Sequence, residues 1–165
     1  MRPSSCGRRD LRIVSGGFAA VAGLGLLAVA AAAPAAVQPR PYPVYNEYHL
    51  DRTMKLVGRN FAGAREALDA GEFDTAKALF TRTREQVAVS ITYWRHNERD
   101  DGVRMLRDVL DGLDALDAAL SSPPVDAAAA AALASGADTA CQTCHAVYRT
   151  QDPDTGDYSV NLDAG

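Results

Sequence analysis

The chain has 165 residues, room for one domain of ordinary size and not comfortably for two. Apolar residues make up 47% and charged residues 23%, a balance that excludes wholesale disorder. Lys and Arg number 17 against 21 Asp and Glu, so no basic surplus points to nucleic acid, and three cysteines exclude a multi-bridge secreted scaffold.

At the N-terminus, Arg2, Arg8, Arg9 and Arg12 precede a run from Ile13 to Ala33 made almost entirely of Ala, Gly, Val and Leu. A positive stretch followed by an apolar one has the layout of an export signal, and Ala33 and Ala35 supply the small-residue spacing that a signal peptidase reads. Residues 1–35 are expected to be removed after Ala35, directing the remainder to the periplasm. The competing reading is an uncleaved anchor, since roughly 20 apolar residues span a bilayer. Only in that case would the protein be membrane-bound. Cys6 precedes the apolar run and is misplaced for a lipoprotein cysteine, while the Arg8-Arg9 pair is a faint twin-arginine signal. With four arginines and one aspartate set aside, 17 basic residues fall to 13 and 21 acidic to 20, a charge near −7.

Residues 36–47 contain Pro39, Pro41 and Pro43 and are expected to form an extended lead. Four helical stretches follow over residues 48–150. Leu50, Met54, Val57, Phe61, Ala64 and Leu68 recur at steps of four and three, one face of a helix. Gly71 offers a stop and Asp74 a cap for a second helix with Phe80, Val87, Ile91 and Trp94 on its stripe. A third pattern follows Gly102, with Val103, Leu106, Leu110, Leu113, Leu116 and Leu120 in step. Ser121 to Pro124 break the chain, and Asp126 can cap a fourth helix from about Ala127 to about Thr150, with a potential interruption at Gly136. No segment alternates as a strand should, so an all-α antiparallel four-helix bundle is expected without a sheet. Residues 151–165 hold four Asp residues and neither Lys nor Arg, and read as a mobile acidic tail.

The fourth helix carries Cys141-Gln142-Thr143-Cys144-His145, the attachment pattern for one haem c. Two thiols add across the haem vinyl groups as thioethers, and the adjacent imidazole binds the iron. On a helix, Cys144 and His145 lie three and four residues from Cys141, so all three face one side. Tyr148 and Arg149 continue that face. Structural zinc needs four ligands, and no second cysteine pair exists. A thioredoxin-like dithiol wants a preceding strand, where this chain has an alanine-rich helix. A plain disulfide leaves His145 without a role.

A helical exported chain with Cys-x-x-Cys-His-x-x-Tyr-Arg close to its C-terminus resembles the cytochrome c′ family, including its low-spin relatives. The resemblance covers the expected mature chain as architecture and is most specific over Ala140 to Arg149. It implies a bundle with covalent haem c near one end, proximal ligation by His145 and, in many members, a homodimer. Arg149 matches the family arginine on the proximal side or near a propionate. Met54-Lys55-Leu56-Val57-Gly58 is similar to the stretch that supplies a distal methionine in low-spin members. High-spin members keep a five-coordinate iron, some of them despite a methionine there.

From the residues alone, Met54 lies on the inward stripe and could simply fill space. Met105 is a weaker ligand candidate, and His49 and His96 read as solvated or capping, though a bis-histidine iron stays open. Phe61, Phe80, Trp94 and Tyr148 are core residues by default. Arg52 and Lys55, beside Met54, are solvated or approach a propionate. The reading is an electron carrier, not an enzyme, with iron bound by His145 and Met54 and with redox proteins as partners. The alternative is a five-coordinate cytochrome c′ that binds or sequesters nitric oxide or other small gases.

Overall fold

The computed structural model describes residues 43–164. The expected export signal, Cys6 and most of the proline lead lie outside the described residues. Helix α1 (Glu47–Asp69) begins within the residues expected to be extended, because Asn46 caps it: its side-chain oxygen accepts from the His49 N–H at 2.9 Å. The expected stripe holds, with Leu50, Val57, Ala64 and Leu68 buried and Met54 and Phe61 half-buried beside them. Just upstream, Val44 is buried and its N–H donates to Thr92 Oγ1 at 2.7 Å, pinning the lead to the second helix.

Gly71 reverses the chain at φ +75°. Helix α2 (Phe73–His96) is not capped by Asp74 as expected. Glu72 occupies the cap position without a side-chain bond, and Asp74 lies inside the first turn, where its charge still complements the helix dipole. The α2 core face buries Phe80, Val87, Tyr93 and Trp94. Thr83 and Ser90, also buried there, donate to helix carbonyls of Leu79 and Val87.

Helix α3 (Asp100–Leu120) starts before Gly102, not after it. Gly102 falls in the first turn against the Trp94 ring, where a Cβ would come to 2.5 Å from ring carbon Cε3. Helix α4 (Ala127–Tyr148) is capped by Asp126 as expected, its carboxylate accepting from the Ala129 N–H at 3.0 Å. The helix passes unbroken through Gly136, whose missing side chain would face open space, and ends short of Thr150. Ala130, Ala134 and Ala137 form its buried stripe. A Cβ on Gly112 would lie 3.4 Å from that of Ala137, so small residues on both helices let α3 and α4 approach closely.

Short connections make sequential helices antiparallel neighbours. Helix α1 packs on α2, α2 on α3 and α3 on α4, and α4 returns to α1 with the loosest of the four contacts. This is the expected all-α bundle, and a cavity opens at the loose α1/α4 seam.

Two expectations fail at the C-terminus. A small sheet exists: β1 (Arg149–Gln151) pairs antiparallel with β2 (Tyr158–Val160), Arg149 opposite Val160 and Gln151 opposite Tyr158. The acidic tail is therefore folded. Its aspartates build the turn: Asp152 Oδ1 accepts from the Asp154 and Thr155 N–H groups at 2.8 and 3.0 Å, and Gly156 supplies φ +74°. A 3-10 turn (Leu162–Ala164) follows. Among the described residues, no helix is long and apolar enough to cross a membrane.

Candidate functional site

Helices α1 and α4 enclose a cavity of about 610 Å3, within the range of small-molecule and cofactor pockets. From α4 it is lined by Cys141, Cys144, His145 and Tyr148, from the start of β1 by Arg149, and from α1 by Leu50, Met54, Val57 and Phe61. The motif and the methionine, singled out separately in the sequence, thus face one space. Val87, Trp94, Leu106 and Val109 add apolar walls from α2 and α3.

Helical spacing explains the α4 side. Cys141 to Tyr148 spans two turns, and the residues at steps of three and four look the same way. Cys144 is buried, and Cys141 and His145 are half-buried. Burial, then the charge of Asp138, pushes the Cys141 thiol up to about 11; burial, then Cys141 and Asp101, pushes Cys144 up to about 11. Both are neutral thiols at physiological pH. Reactive dithiols instead have depressed values, often at a helix N-terminus, whereas this pair lies near a helix C-terminus. The site therefore lacks the electrostatics of a thioredoxin-like dithiol.

Burial, followed by the positive charge of Arg149, lowers the His145 imidazole below its ordinary value, with Asp138 opposing. A neutral imidazole is the form that binds a metal. Its Nδ1 is buried without a hydrogen-bond partner. An orphaned buried nitrogen costs free energy, and because Nδ1 is shielded it is the other side of the ring that His145 offers to the cavity it lines. No cluster of three or more His, Cys, Asp and Glu side chains converges among the described residues, so a four-ligand zinc site finds no support there.

Polar groups collect at the rim. Glu47, Asp51 and Asp138 alternate with Lys55, Arg65 and Arg149. Lys55 pairs with Asp51 at 2.7 Å, and Arg65 reaches Asp138 across the α1/α4 seam at 3.7 Å. Arg149 is exposed, its guanidinium 3.4 Å from the centre of the Tyr158 ring.

The other candidates separate cleanly. Phe61, Trp94 and Tyr148 line the cavity, whereas Phe80 packs edge-on against Phe61 and lies outside the lining. Met105 packs on the core away from the cavity. His49 and His96 are exposed and outside it, His96 lying 5.8 Å from Tyr45 ring to ring. Arg52 lies over Tyr48 on the outer face of α1, so of the two cations beside Met54 only Lys55 reaches the rim.

Sequence reading missed two contributors. Tyr158, Ser159 and Val160 of β2 form part of the lining. Arg99 gathers the end of α4: its Nε and Nη2 donate to the Tyr148 hydroxyl at 3.1 and 2.9 Å, and its Nη1 donates to the Leu162 carbonyl at 2.6 Å. The Tyr148 hydroxyl in turn donates to Asp101. The signal for the hairpin was present as Asp152-Pro153-Asp154-Thr155-Gly156 between short β-prone segments. Nothing local marks Arg99.

The chain matches no family model, no curated protein and no solved structure.

Proposed function

We propose that the protein is an exported monohaem c-type cytochrome of the cytochrome c′ type, acting as an electron carrier in the periplasm. The observation that supports this reading is the convergence of Cys141, Cys144, His145 and Met54 on one largely apolar cavity of about 610 Å3 between α1 and α4. The donor set fits the group. Two neutral thiols stand beside an imidazole that burial keeps neutral, and a soft sulfur is on the facing helix.

In this reading Cys141 and Cys144 hold the haem covalently, His145 is the proximal iron ligand and Met54 the distal one. Haem c bound there supplies a one-electron iron couple whose potential Met/His ligation raises. The chain does the rest. Leu50, Val57, Phe61, Leu106 and Val109 keep water from the ligands, and the rigid helices hold Met54 and His145 in place through changes of charge. Arg149, at the rim within electrostatic reach of His145, is suited to a propionate or to the proximal side. Partners are redox proteins that meet the rim in small, transient interfaces.

Absorption spectra of the exported protein in both oxidation states test this. The expected result is a covalent haem c spectrum with a near-infrared methionine-to-iron band in the oxidised form, lost in Met54→Ala. A five-coordinate, high-spin spectrum that Met54→Ala leaves unchanged would replace the carrier with the gas-binding reading. Absence of a haem adduct from the intact mass would remove both.

A further inference from the structure

The bundle alone does not close its own cavity. Helix α4 stops at Tyr148, less than one turn beyond His145, and α1 starts at Glu47, so the end of the seam nearest His145 and Met54 has no helical wall. The C-terminal hairpin fills that gap. β1 continues straight from α4, β2 folds back beside it and packs against α1, and Tyr158, Ser159 and Val160 all line the cavity. Val160 is half-buried against the core.

The hairpin is fastened from several directions. The Asn161 N–H donates to the Tyr148 carbonyl at 2.8 Å, Arg149 covers the Tyr158 ring, and Arg99 holds Leu162 and Tyr148 together from the α2–α3 connection. Arg99 and Asp101 are both largely shielded from solvent, and their ion pair at 3.4 Å completes the clasp. A loose acidic tail would need none of these bonds. Fastening at a cavity end, with two apolar side chains turned to the lining, is the arrangement of a wall.

We propose that β2 is the closing wall of the α1/α4 cavity, and that Tyr158 and Val160 set how fast molecules of different size reach it, admitting diatomic ligands more readily than planar heterocycles such as imidazole. As a statement about ligands at iron this rests on the haem reading. As a statement about access to the cavity it does not. Substituting either apolar side chain by alanine opens the end of the seam without touching a proposed iron ligand.

The test uses the full exported chain in a Met54→Ala background, so that dissociation of the methionine sulfur does not limit uptake. Imidazole and nitric oxide are each mixed with the oxidised protein in a stopped-flow spectrophotometer. The double variant Tyr158→Ala/Val160→Ala is expected to take up imidazole about tenfold faster, as removal of bulk from an apolar gate does, while the nitric oxide rate changes far less. Tyr158→Phe should match the parent, and Val160→Leu should slow imidazole selectively. Equal changes for both ligands, or no change for imidazole, would overturn the proposal. If the double variant fails to fold, Val160→Leu carries the decision alone. Should the intact mass show no haem adduct, the function proposed above fails, and the wall is tested through the free thiols. Alkylation of Cys141 and Cys144 by N-ethylmaleimide should then be faster in the double variant, and unchanged rates would refute the wall.

Discussion

Gly102 and Gly136 are both helical glycines, yet the same change to alanine is expected to act in opposite directions. A Cβ on Gly102 would press at 2.5 Å on Trp94, a ring held by Tyr93 edge-on at 5.4 Å and by Tyr148 at 4.6 Å between ring centres. Gly102→Ala should therefore cost about 1–3 kcal/mol by overpacking. A Cβ on Gly136 meets nothing within 4 Å, so Gly136→Ala should stabilise α4 by up to about 1 kcal/mol. Urea denaturation followed by circular dichroism checks both, and a Gly102→Ala midpoint at or above the parent's would contradict the packing described. Legibility at this scale followed the reach of the chemistry. Cys141, Cys144 and His145 could be set on one face because their order is local, and Met54 on the inward face of α1 because it falls on an apolar stripe. Arg99 could not, because its partners Tyr148 and Leu162 lie 49 and 63 residues away in sequence.

Among the elements, three helices were readable because each carries a period of three and four and the fourth from its alanine run behind a break and a cap, while most first and last turns were set by caps that the pattern does not encode. Asp126 is the cap that was visible, and its bond to the Ala129 N–H makes Asp126→Ala cost about 1 kcal/mol in thermal or urea unfolding. The hairpin was hidden because strands of three residues have no room to show alternation, and because its aspartates look like a solvated tail until Asp152 is seen closing the turn. Its clasp has an acid-sensitive member. The Tyr148 hydroxyl first, then the Gly102 N–H and Arg99, hold the Asp101 carboxyl below its ordinary value. A depressed carboxyl stabilises the fold above its unfolded value, and this contribution disappears as pH falls through the lower folded value. Asp101→Asn should therefore lower the melting temperature at neutral pH, and the difference from the parent should shrink as pH falls below about 4 and close only below the lowered folded value, where the carboxyl is protonated in both states. A gap that persists unchanged in acid would mean that Asp101 acts through shape and not charge.

For the whole molecule, charge and the cavity rim make different demands on a partner. The rim carries three acidic and three basic side chains, so close contact presents no dominant sign. Beyond a Debye length, only the net charge, near −7 after removal of the expected signal, remains to steer an encounter. If the protein carries electrons as proposed, oxidation of its reduced form by a cationic cobalt phenanthroline complex should slow as salt is added. Oxidation by ferricyanide should accelerate over the same range. Each rate should change by roughly threefold to tenfold between about 10 and 200 mM ionic strength. Stopped-flow kinetics at the haem absorption bands give both slopes. The signs discriminate between the two sources of charge: reversed slopes would mean that Lys55, Arg65 and Arg149 govern approach at the rim, and would point to an acidic partner. Slopes of the expected signs point to a basic one, drawn by the acidic surface of the bundle and oriented only on contact with the seam between α1 and α4.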